Sequence, residues 1–283
     1  MAATRRSHAA RNAREDEGRA PAPAPAVDTR SRRRAKASGG APRTGPHAPA
    51  KRPENLPRSL FHATWGTVVC LVVLAFHEPN HLVAWAAAAV TLALAFEALK
   101  RASETTRRWV MALFAKVAHA WEKEGVTSAT FFTAGLAIMA ASRSHLVCVT
   151  GAAVCAVGDP AAGFVGRRYG RTRLRAGRSL EGSLAFVVFG GAFALGMLTL
   201  AAHGGLPLPR PIAEALGMPP TNDATDVARL TLAERAVASV VGAVCGAVAE
   251  VVSTTVDDNL TIGPAAGYGA AAALAVLRRV MPR

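Results

Sequence analysis

Beyond residue 58 the chain is a succession of apolar runs, most of them near the twenty residues that a helix needs to cross the ~30 Å hydrocarbon core of a bilayer. They lie at 61–77, 81–99, 128–142, 145–166, 183–202, 235–252 and 263–278. This pattern predicts an all-α polytopic membrane protein of about seven transmembrane helices. Six is the alternative, because the third run is short and the fourth contains Asp159 and Pro160. Residues 1–57 have no such run. Their Ala, Pro, Arg and Ser content, with the strings PAPAPA and SRRRAK, offers too little apolar surface to offset ordering entropy. A disordered basic tail is therefore predicted at 1–57, ahead of a membrane domain at 58–283.

Charge sharpens this division. The formal net charge is +14, and +9 of it falls in residues 1–58, where 14 basic residues face 5 acidic ones. A secretory signal would place its apolar stretch close behind the first charges, and nearly sixty polar residues come first here. By the positive-inside rule the tail is expected to be cytoplasmic. No nucleic-acid partner is expected, because no aromatic residue for base stacking precedes Phe61. Counting helices from a cytoplasmic tail puts 100–127, 167–182 and 253–262 on the same side. Arg167 to Arg178 holds six arginines in twelve residues. In 100–127, Lys100, Arg107, Arg108, Lys116 and Lys123 alternate with Trp109, Met111, Leu113, Phe114 and Val117, as in an amphipathic surface helix. Cys70, Cys148, Cys155 and Cys245 each sit in an apolar run, which predicts buried thiols and no disulfide framework.

Acids at membrane depth are expensive and mark candidate sites: Glu97, Asp159, Glu181 and Glu250. Asp159 would stand about 10 Å short of the cytoplasmic end of its helix. Pro160 behind it leaves the Ala156 carbonyl without its helical donor, as happens where backbone lines a polar cavity. The small residues Gly158 to Gly166 lead directly into the arginines, whose guanidiniums suit phosphate. Gly177 to Ser183 is no Walker loop, since Thr172 stands where that pattern needs glycine. Asp257-Asp258-Asn259, in a short predicted loop with Glu250 just upstream, suits magnesium, which keeps waters and bridges to substrate phosphates. Arg58 and His62, four apart, share one helical face at the same boundary. Acids for a divalent cation and arginines for phosphate at one interface predict phosphoryl or nucleotidyl transfer to a lipid.

These elements resemble the CTP-dependent lipid kinases, the family of yeast-type diacylglycerol kinase, dolichol kinase and phytol kinase. Pro57-Arg58 through His62 and Gly66 is similar to the opening P-R-K-x-x-H-x-x-x-G, and Glu124-Gly125 with Thr127 to an E-G-x-T element. Gly158-Asp159 through Gly166-Arg167 and Gly170, then Ser179-Leu180-Glu181-Gly182-Ser183, resembles G-D-x-x-A-x-x-x-G-R-x-x-G followed by K-S-x-E-G-S. Glu250 and Asp257 to Thr261 resemble the closing E and D-D-N-x-T. Arg178 stands where lysine is usual, and Ser59 where a second basic residue is common.

The resemblance implies transfer of the CTP γ-phosphate, with Mg2+, to a lipid hydroxyl in the bilayer. The N-terminal basic tail favours diacylglycerol as acceptor, giving phosphatidate, with phytol or a polyprenol as alternatives. It implies catalytic roles for Asp159, Asp258 and Glu181, with Asp159 as proton acceptor. Metal ligation falls to Asp159, Asp257, Asp258 and Glu250. Nucleotide contacts fall to Arg58, His62, Gly158, Gly166, Arg167, Gly170, Arg171, Arg178, Ser179, Gly182 and Asn259. Two other readings compete. A phosphatidate cytidylyltransferase should carry a P-G-H-G-G element, which is absent, and a transporter should show a second copy of the Gly158 to Gly166 run, also absent.

Overall fold

The computed structural model describes residues 56–76, 78–114, 122, 124–206, 210–215 and 225–281. The basic tail up to residue 55, Lys116, Val117, Lys123 and Arg283 lie outside them. Among the described residues the fold is helical: α1 (Leu56–Ala75), α2 (Pro79–Ala102), α3 (Glu104–Leu113), α4 (Ser128–Ala141), α5 (His145–Tyr169), α6 (Leu180–Ala202), α7 (Arg210–Ala215), α8 (Leu232–Val252) and α9 (Asp258–Val280). The one β-type pairing among these residues is an isolated bridge between Arg173 and Ser179.

Six helices, α1, α2, α5, α6, α8 and α9, are long and apolar enough to cross a membrane. The third predicted run folds as α4, which has 14 residues and is about 21 Å long, short of the hydrocarbon core. The expected seven spans are thus six full-length helices and one short one. Outward-facing apolar side chains such as Leu92, Val188 and Val276 are exposed. That would be a liability in water and is ordinary against acyl chains.

α5 is the hub. Of its apolar window 72% is buried, against 17% for α2, and α1, α4, α6, α8 and α9 all pack on it. Lipid gives helices no hydrophobic reason to associate, so close backbone approach has to supply the contact. A Cβ on Gly66 of α1 would stand 2.6 Å from the Ala156 Cβ, and one on Gly151 would stand 2.5 Å from the Gly263 carbonyl of α9. α6 contributes differently. Its π-helical turn over Phe186–Gly190 places the fully buried Phe186 ring against Gly158 of α5 and Gly246 of α8. Pro160 does not end α5, which continues to Tyr169.

Chain order and packing bring the starts of α1, α4, α6 and α9 and the ends of α2, α5 and α8 to one end of the bundle, called here the polar end. The opposite end is fastened by Asp226, which takes the Leu146 N–H and the Ser144 hydroxyl, by His145 on the Val73 carbonyl, and by Arg278 on Glu234. Cys70, Cys148 and Cys155 are buried free thiols, and Cys245 is half-buried.

Replacing Gly66 by Leu forces the α1–α5 crossing apart and should destabilise the bundle by about 1–3 kcal/mol. Gly196→Leu, where nothing lies within 4 Å, should leave stability unchanged. Thermal midpoints in detergent compare the two.

Candidate functional site

α9 opens the site. Asp257 is its N-cap: Oδ1 accepts from the Asn259 backbone N–H at 3.0 Å and from Asn259 Nδ2 at 2.7 Å, while Ser128 of α4 donates to Oδ2 at 3.4 Å. The sequence pattern predicted a loop here. Asp258 and Asn259 instead form the first helical turn, because the Asp257 side chain caps it. Burial pushes the Asp257 carboxyl up, with Asp258 beside it adding to the rise, against the hydrogen bonds from Asn259.

Arg178 binds this turn to α8. Gly177, at φ 72°, takes a left-handed conformation that suits glycine. From there the guanidinium reaches Glu250 Oε1 at 3.0 Å with Nη1 and Asp258 Oδ2 with Nη2. Burial pulls the Arg178 pKa down, yet Glu250, Asp258 and Asp159 together outweigh it and hold it above the ordinary value. The fork stays charged. Glu250 is 2% exposed, and its second oxygen, Oε2, is buried without a hydrogen bond. Asp159 is half-buried and within electrostatic reach of Asp258, His62, Arg178 and Arg58.

Glu122 and Ser128, which the sequence did not single out, join the first set. Glu122 Oε1 accepts from Arg58 Nη1 at 3.1 Å and from Ser128 Oγ at 2.8 Å, and Arg58 Nη2 donates to Ser128 Oγ at 3.0 Å. What holds the Glu122 segment is a buried ion pair at the end of α2. Lys100, 1% exposed, lies 2.9 Å from Glu97 Oε2 and donates to the Glu122 carbonyl at 3.0 Å and the Gly125 carbonyl at 2.6 Å. Glu97 Oε1 accepts from the Thr127 N–H at 2.8 Å and from the Thr130 hydroxyl. Two expectations are corrected. Lys100 is a core residue and not part of a surface stripe, and Glu97 fastens backbone instead of facing a ligand. The signal that could have revealed the pair was their i,i+3 spacing inside an apolar run.

α1 packs on α5 and α2 on α4, with no substantial contact between α1 and α2. The gap is a cavity of about 500 Å³, lined on its apolar part by Phe61, Trp65, Phe96, Met111, Phe114 and Phe132 and at its polar end by Arg58, His62, Glu122, Ser128 and Asn259. A separate cavity of about 550 Å³ is lined by Arg167, Arg168, Tyr169, Gly170, Arg171 and Glu181.

The expected site residues therefore divide. Asp159, Asp257, Asp258, Asn259, Glu250, Arg178, Arg58 and His62 converge. Arg167 and Arg171 line the basic cavity, and Arg167 also reaches Ser59 of α1 at 3.5 Å. Glu181 sits in the first turn of α6, where its carboxylate accepts the Thr172 N–H and shapes the arginine loop. Ser179 is the N-cap of α6, accepting from the Gly182 N–H. Gly166, Gly170 and Gly182 gather around Ser179, and Gly170 also lines the basic cavity. Cβ atoms there would meet Ser179 Oγ at 2.9, 2.6 and 3.1 Å, and Gly158 meets the Phe186 ring.

No group of three or more His, Cys, Asp or Glu among the described residues is arranged to hold a metal ion by itself. Magnesium asks for less, one or two carboxylates plus water and phosphate oxygens, and the adjacent Asp257 and Asp258 fit that requirement. No protein-family model matches the chain, and no curated protein and no solved structure is similar to it.

Lys100→Met removes one partner of the buried pair and should destabilise the protein by about 3–5 kcal/mol. Adding Glu97→Gln should recover part of that loss. A double-mutant cycle of thermal midpoints measures the coupling.

Proposed function

We propose that this chain is an integral-membrane lipid kinase that transfers the γ-phosphate of CTP to a lipid hydroxyl, with diacylglycerol as the leading acceptor. The observation that carries the reading is the apolar cavity between α1 and α2 ending on Ser128 and Asn259, one hydrogen bond from Asp257 and beside the Arg178–Asp258 pair. An acyl or prenyl chain suits its aromatic lining, and a hydroxyl suits its polar end. CTP as donor rests on the sequence resemblance.

In this reading the basic segments put the polar end in the cytoplasm, and α4 completes seven crossings. Asp257 and Asp258 would hold magnesium, which neutralises charge on the β- and γ-phosphates when bound. The positive end of the α9 macrodipole favours the same phosphates. Arg178 keeps Asp258 oriented and supplies positive charge where the transferring phosphoryl group spreads its own. Arg167, in the last turn of α5, and Arg171, in the loop after it, add charge for the triphosphate. The carboxylate network leaves little for the protein to do beyond positioning and neutralisation, as phosphoryl transfer requires.

Purified protein in detergent micelles with magnesium and CTP should move label from the γ-phosphate to diacylglycerol, phytol or undecaprenol. Label on the cytosine should stay out of lipid. Cytosine label entering lipid with phosphatidate supplied would identify a cytidylyltransferase instead. Asp258→Asn, which removes a charge from the Arg178 pair and the magnesium position, should lower kcat by at least about 10²-fold while the protein still inserts into membranes.

A further inference from the structure

We propose that His62 is the catalytic base that takes the proton from the acceptor lipid's hydroxyl, a role that rests on the lipid-kinase reading above. The sequence pattern offered Asp159 for this task. Asp159 does not line the acceptor cavity, and His62 does. The half-buried ring stands edge-on to Phe132, centroids 6.2 Å apart at 75°, where the apolar lining gives way to polar groups.

The backbone of α5 fixes the ring's tautomer. His62 Nε2 lies 3.1 Å from the Cys155 carbonyl oxygen. A carbonyl can only accept, so Nε2 carries the hydrogen, and the neutral ring then has its lone pair on Nδ1. Nδ1 has no hydrogen-bond partner among the described residues and is not buried away from access. The close approach that permits this contact comes from Gly66, one turn along α1, seated on Ala156.

The carboxylates near the cavity are engaged elsewhere. Glu122 Oε1 receives both Arg58 and Ser128, Asp257 receives Asn259 and Ser128, and Asp258 is paired with Arg178. The charged groups around this end are Arg58 on the same helix, Asp159 and Arg167 on α5, Glu122 before α4, Asp257 and Asp258 at the start of α9, and Arg178 before α6 with its partner Glu250 at the end of α8. Of these, Asp159 interacts favourably with a protonated His62. The pair divides the labour: His62 receives the proton, and Asp159 balances the resulting imidazolium.

The step balances. The acceptor oxygen forms its bond to the γ-phosphorus as the bond from that phosphorus to the β,γ-bridging oxygen breaks. The electron pair of the broken bond leaves with CDP, the hydroxyl proton passes to Nδ1, and the imidazolium later releases it to water.

The test compares full-length wild type with His62→Gln, using γ-labelled CTP, magnesium and diacylglycerol in micelles. His62→Gln keeps an amide donor for the Cys155 carbonyl and removes the base. We expect kcat to fall about 10²–10⁴-fold, with KM for both substrates within about twofold. His62→Asn, a second amide without a basic ring nitrogen, should show the same loss. A kcat within about threefold of wild type in either variant overturns the inference and leaves the kinase reading standing. Should one variant fail to fold, the other decides by the same measure. Wild type that transfers γ-label to no alcohol overturns the kinase reading and this inference together.

Discussion

Close packing against α5 is the constraint on which every other part of this bundle depends. In a bilayer the apolar faces of helices are already among apolar neighbours, so association must come from van der Waals fit and from polar groups satisfied between helices. α5 supplies the fit with Gly151, Ala156, Gly158 and Ala162, each seated against a backbone or a ring of a neighbouring helix. Because α1, α6, α8 and α9 all dock on this one rod, their polar ends are brought to a common level. The same small residues that resemble a nucleotide-binding run thus place the acids and arginines.

At that level the charges form a connected set. Arg178 joins the end of α8 to the start of α9, Ser128 joins the start of α4 to the cap of α9, and Arg58 ties α1 to both through Glu122. Arg58, Glu122, Arg178, Glu250 and Asp258 are each paired with an opposite charge, which is the condition under which charge persists in a medium of low dielectric. The Glu97–Lys100 pair has another task. It satisfies the Glu122 and Gly125 carbonyls and the Thr127 N–H, and so holds Glu122 at the cavity.

How far the chain could be read in advance follows from the range of each interaction. Helicity, the membrane setting, and the full-length spans were legible, because each depends on local composition over twenty residues. So were Asp159, Glu250, Asp257 and Asp258 as site candidates, since an acid beside an apolar run is conspicuous whatever its partners. Helix ends were less legible. Asp257 capping and the Ser179 cap lengthen α9 and α6 by a few polar residues that hydropathy assigns to loops.

Partnership was a different matter. Lys100 read as one of several basic residues in an amphipathic stretch, and only the fold of α2 against α4 buried it beside Glu97. Glu122 was one unnamed acid within the 100–127 stretch until Arg58 and Ser128, each more than five residues away in sequence, closed on it. Glu181 matched a motif, yet its position in the first turn of α6 turned it to the Thr172 backbone. The sequence by itself determined which residues are too polar for lipid and must find company. Tertiary structure decided which company, because contacts between residues distant along the chain depend on how closely helices can approach, and that is set by side chains on both partners at once.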